Sequence, residues 1–143
     1  INSLSIYKMK KYITPFDKFI LRFAIAIILL THSVPGIFNN GINDFGNLYL
    51  NQIGFSPFGV YIAWAIKLSH ILCAVLFLMN KFIKWSAILT IVILLYGIYL
   101  VHFNEGWYVV GDGRNGVEYS FLLICVLISL IYKTNDSKRK LKA

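Results

Sequence analysis

Four long apolar runs constrain this chain more than any other feature. The first reads FILRFAIAIILLTHSV from Phe19, and the others open near Pro57, Trp85 and Gly116. Apolar runs of about 17–25 residues, wound as helices, match the hydrocarbon thickness of a bilayer. Apolar residues make up 58% of the chain and charged residues 14%, against roughly 45–50% and 25% in soluble domains. A soluble domain of 143 residues has too little interior to hide that much apolar surface. The expected fold class is all-α, a transmembrane four-helix bundle whose helices are apolar nearly all round.

Local signals set the expected boundaries. Thr14-Pro15-Phe16-Asp17 combines a capping residue, a proline suited to the first helical turn and an acid three residues after the cap. The helix it opens should stop or kink near Pro35-Gly36. Ser56-Pro57 repeats the cap-then-proline signal. The spans are expected at about 15–34, 57–79, 85–103 and 116–132, within a membrane domain of residues 15–133. Residues 1–14 form an N-terminal segment and 134–143 a basic tail. Met9-Lys10-Lys11 reads as a start, so residues 1–8 are expected to lie outside the fold. With no small-residue cleavage site after it, the first run is expected to remain as an anchor. Between the first two spans, Phe45, Leu48, Tyr49 and Ile53 share a helical face and Gly54 can end the turn. A short helix at the outer surface is expected there.

The formal charge is +8, but its placement excludes a nucleic-acid groove. Lys8, Lys10, Lys11 and Lys18 precede or open the first run, Lys81 and Lys84 occupy the middle turn, and Lys133, Lys138, Arg139, Lys140 and Lys142 follow the last run. These are eleven of the fourteen basic residues; the opposite side has only Arg114, while Arg22 and Lys67 fall within spans. Basic residues collect on the cytoplasmic side, so both termini are expected inside. Trp85, Trp107, Tyr108, Tyr119 and Tyr132 stand near the expected water boundaries, where amphipathic rings anchor. Cys73 and Cys125 lie in apolar runs without a CxxC or metal-type spacing and read as small apolar fillers; no metal site is expected.

The ends of the first and third runs share a pattern. Leu30-Thr31-His32 leads to Gly36-Ile37-Phe38 and Gly41, and Leu100-Val101-His102 leads to Gly106-Trp107-Tyr108 and Gly111, displaced by 70 residues. Duplication of a two-helix unit and chance similarity in apolar sequence both produce such an echo. Either way it places His32 and His102 at similar depth near the outer face.

Ionisable residues inside spans are costly and need a partner or a route to water. Arg22 is close enough to the cytoplasmic side to snorkel, or it faces inward. Lys67 falls near the midplane with His70 three residues on along the same helix face. It should point into the bundle or pair with an acid on a partner helix. Glu118 opens the fourth run. Asn115-x-x-Glu118 reads as a capping box and Arg114 is an i, i+4 partner; alternatively His32, His102, Arg114 and Glu118 form a polar cluster at the outer mouth.

Leu21-Arg22, His32-Ser33-Val34-Pro35-Gly36 and the segment VHFNEGWYVVGDGRNGVEYSFLLI from Val101 resemble the DoxX family of four-span bacterial membrane proteins. The resemblance extends from about Phe19 to Tyr132. It implies a bacterial cytoplasmic-membrane location and links to quinone-coupled redox complexes, although many members have no assigned activity. Where relatives carry a Glu followed by two glycines, this chain has Lys67-Leu68-Ser69-His70, which reverses a buried charge.

The expected function is an accessory subunit of a quinone-linked membrane redox complex, in contact with lipid and other membrane subunits. Histidines and an acid can hydrogen-bond quinone carbonyls and carry protons. A haem held by His32 and His102 is the weaker cofactor alternative. The other readings are a non-catalytic assembly subunit, with Lys67 contacting a partner, and a small carrier. No nucleophile–base set or phosphate loop is present, so a stand-alone enzyme is not expected.

Overall fold

The computed structural model describes residues 15–110 and 115–140. Among these the secondary structure is entirely helical. The long helices are α1 (Pro15–Ser33), α4 (Gly59–Leu78), α5 (Ile83–Gly97) and α6 (Glu118–Lys140), with short α2 (Pro35–Phe38) and α3 (Gly41–Asp44) between α1 and α4. α1 packs along α4, α4 against α5, and α5 against α6.

The packing follows from side-chain size. Ala26, Ala74 and Ala87 are fully buried where helices meet, and Phe77 and Leu127 fill the space between them. Small residues let helix backbones approach closely, which lipid-embedded bundles need because lipid competes for apolar contact. Large apolar side chains instead point outward: Leu68, Leu72, Trp85, Leu95 and Leu122 are all exposed. Three stretches, Lys18–Phe38, Gly59–Leu78 and Ile83–Glu105, are long and apolar enough to cross a membrane, yet at most 28% of any such window is buried inside the protein. An apolar surface of that extent is stable against hydrocarbon or against the apolar face of a partner. The apolar part of α6, Glu118–Tyr132, is shorter.

The segment joining α1 to α4 is helical but irregular. After α3 it winds as a wide π-helical stretch, Phe45–Phe55, broken at Gly54 with φ +111°. Its buried side is Ile42, Gly46 and Leu50, whereas Leu48 is 64% exposed. The face expected from a 3.6-residue repeat is therefore only partly the packed one. Phe45 and Tyr49 are partly buried and stack at 5.6 Å between ring centroids, while π-winding shifts Leu48 and Ile53 outward. Gly46 crosses the start of α4 at Gly59 and Val60 so closely that a β-carbon on it would run into Val60 backbone.

Ser56 does not cap α4. Phe58 occupies the cap position without a side-chain bond, and the Gly59 amide donates instead to Asn51 Oδ1 at 2.9 Å. A cap can come from eight residues upstream because the joining segment folds back on the helix it precedes. Trp64 Nε1 donates to Asn43 Oδ1 at 2.8 Å and fastens the same segment one turn further along. The Thr14 cap lies outside the described residues.

α5 also ends irregularly. Past Gly97 it widens into a π turn, Ile98–His102, then tightens into a 3₁₀ turn, Phe103–Glu105. At the wide turn Tyr49 hydroxyl donates to Leu100 carbonyl at 2.9 Å, tying the joining segment to α5.

Candidate functional site

The C-terminal half of α1, the middle of α4, the end of α5 and the first turns of α6 line a half-open cavity of about 410 Å³. That falls within the roughly 300–1,000 Å³ of small-molecule sites. All three histidines of the chain line it. α1 contributes His32 beside Ile28 and Leu29, α4 contributes Lys67 and His70, and the wide turn after α5 contributes His102. Tyr119 and Ser120 of α6 and Asn115 of the preceding loop add polar groups, against an apolar wall that includes Leu94 and Leu123.

Lys67 reaches across to the end of α1, where Nζ donates to the His32 carbonyl at 2.9 Å. The last carbonyls of a helix have no intrahelical partner and carry the negative end of its dipole, so an ammonium group is stabilised there. The same Nζ lies 5.9 Å from the centre of the Phe45 ring. Lys67 is half-buried, and its contacts come from this chain: a carbonyl and an aromatic face. The carbonyl occupies one of three ammonium protons and does not neutralise the charge.

His70 sits one turn further along α4 and is 8% exposed, with neither ring nitrogen hydrogen-bonded among the described residues. A buried imidazole normally finds a partner, because leaving polar atoms unmatched costs about 1–3 kcal/mol. Across the cavity, the His32 and Tyr119 rings are 6.4 Å apart at their centres. His102 Nδ1 is bonded to the Asn115 carbonyl. A carbonyl can only accept, so Nδ1 carries the proton and Nε2 is left as the acceptor of the neutral ring.

Glu118 does not line the cavity. Its Oε1 accepts from the Val109 amide at 2.7 Å and the Val110 amide at 3.0 Å, and its own amide donates to the Trp107 carbonyl at 3.0 Å. The expected capping box with Asn115 is not formed, because the carboxylate turns back onto the loop. Gly116 lies against the Trp107 and Tyr108 carbonyls, leaving no room for a side chain. Arg114 lies outside the described residues. Arg22 is ten residues before His32 on α1 and does not line the cavity; its Nε is buried without a hydrogen-bond partner among the described residues.

The structure thus joins His32 and His102 to Lys67 and His70, which the sequence placed in a separate group, and separates Glu118 from them. Tyr119, expected as an interfacial anchor, is part of the lining. The sequence signal for its inward face was spacing: Gly116, Tyr119, Ser120 and Leu123 recur at helical intervals, and all four line the cavity. Among the described residues no group of three or more metal-ligating side chains is present.

Long helices with an apolar exterior, around a largely apolar cavity that carries a few polar groups, define a multi-pass helical membrane protein. The model of the DoxX family matches residues 18–103, and the chain belongs to that family. The match covers α1 to the wide turn after α5 and stops before the loop and α6. No curated protein and no solved structure matches the chain.

Proposed function

We propose that this protein is an accessory subunit of a quinone-linked redox complex in the bacterial cytoplasmic membrane, and that the cavity receives the quinone ring. The observation that carries this reading is the convergence of all three histidines and Lys67 on one cavity with apolar walls. A quinone is a reducible, flat, apolar ring with two carbonyl oxygens. His32, His70, Tyr119 and Lys67 supply donors for those oxygens, His102 Nε2 accepts from a hydroxyl of the reduced ring, and Leu94 and Leu123 supply the apolar contact. Electrons would come from a partner subunit.

In this reading α6 is the fourth crossing and both termini face the cytoplasm. Two features support it. α6 is 23 residues long, or roughly 34 Å at 1.5 Å per residue. It also contributes Leu123, Leu127 and Leu130 to the same core as α1 and α4. Its apolar part is short for the hydrocarbon layer, a mismatch that local thinning or tilting accommodates at modest cost.

The test is extraction in mild detergent, identification of co-purifying chains and lipids, and assay of quinone-linked turnover. Redox subunits and quinone should accompany the protein. His102→Ala should lower turnover about tenfold, the loss expected for one ligand hydrogen bond, with helicity unchanged. Partners without quinone, and full turnover in His102→Ala, would leave a purely structural subunit.

A further inference from the structure

The cavity brings together a lysine ammonium group and a buried imidazole. Lys67 keeps two ammonium protons beyond the one given to the His32 carbonyl. His70, one turn away, is more than nine-tenths buried and has no hydrogen-bond partner among the described residues. Both line the same space. The remaining polar lining is His32, His102, Asn115, Tyr119 and Ser120; none is a carboxylate. Glu118, next in sequence to the lining residue Tyr119, commits its Oε1 to the Val109 and Val110 amides. Among the described residues the lining therefore carries positive charge with no opposing charge. In surroundings of low dielectric such a charge is strongly felt and favours a compensating anion.

We propose that the Lys67–His70 end of the cavity is an anion subsite, and that its ligand is an amphiphile bearing one acidic oxygen, an enolate or a carboxylate, on an apolar body. The acidic oxygen accepts from the free Lys67 protons and from a His70 ring N–H. The apolar body lies along Leu94 and Leu123. A small inorganic anion would satisfy Lys67 but leave those walls empty. This inference concerns the cavity of the quinone reading without depending on it, because a fatty carboxylate meets the same requirements as an acidic hydroxyquinone.

The test is calorimetric titration of the whole chain in nanodiscs of zwitterionic lipid, with empty discs subtracted. Two pairs of probes each set an anion against a neutral counterpart with the same apolar body: 2-hydroxy-1,4-naphthoquinone against 1,4-naphthoquinone, and decanoate against decanol. The anionic member of at least one pair should bind about tenfold more tightly or better, the margin between a charge-assisted and a neutral hydrogen bond. Lys67→Met should remove the preference and Lys67→Arg should retain it, the latter showing that the site tolerates substitution. Equal affinity within both pairs, or a preference that survives Lys67→Met, overturns the anion subsite while leaving the quinone reading standing. A preference for decanoate with neither naphthoquinone bound supports the subsite and removes the quinone. Failure of all four to bind overturns both.

Discussion

Glu118 and His102 hold the loop between α5 and α6 from opposite ends, one by accepting from two amides and the other by bonding to a carbonyl. Glu118→Ala should leave the Val109 and Val110 amides without their partner. Hydrogen exchange at those two amides should accelerate at least tenfold, while exchange in the middle of α4 stays unchanged. Glu118→Gln keeps an acceptor oxygen and should show a smaller effect. Equal exchange in all three proteins would mean that the carboxylate does not anchor the loop. The capping-box spacing failed here because a carboxylate at the first turn can reach any unpaired amide nearby, and tertiary structure brings Val109 and Val110 within reach. His70 shows the converse. Its spacing from Lys67 was readable, but its lack of a partner was not, since that depends on what three other helices present to it.

At the scale of elements, apolar length made the long helices legible, and small residues marked their contacts. The joining segment was less so. A 3.6-residue repeat selected Leu48 and Ile53, which π-winding turns outward, and it gave no hint that Gly46 meets α4. Gly46→Ala should force that crossing apart and lower stability by about 1–3 kcal/mol, read as a fall in melting temperature in detergent. Gly97→Ala is the control: nothing lies within 4 Å of its β-carbon position, and alanine favours helix over glycine by up to about 1 kcal/mol. A melting temperature lowered as much by the control would show that the crossing is not the cause. Asn51→Ala should cost about 0.5–2 kcal/mol by removing the remote cap of α4, in the same melting assay.

At the scale of the molecule, the charge asymmetry makes a prediction about topology. In a Cys73→Ala, Cys125→Ala background, a cysteine at Lys142 should react with a membrane-impermeant maleimide only from the cytoplasmic side. A cysteine at Gln52, exposed on the joining segment, should react only from the opposite side. Labelling of both from one side would remove either the fourth crossing or the assigned orientation. The hydropathy of the chain predicts helices and a lipid setting because both depend on local composition. The cavity depends on which turns of four separate helices face one another, and no single stretch of sequence encodes that.

The wide turn at Ile98–His102 has a consequence for how this cavity can be altered. One surplus residue in a helix rotates everything beyond it by about 100° around the axis. The heading of the His102 imidazole is thus governed by how many residues precede it since Gly97, independently of their chemistry. Excising Tyr99, whose side chain is 75% exposed, should swing that ring off the Asn115 carbonyl and out of the cavity without changing any side chain that lines it. A one-codon deletion is a finer instrument for emptying this corner than any replacement of the histidine itself.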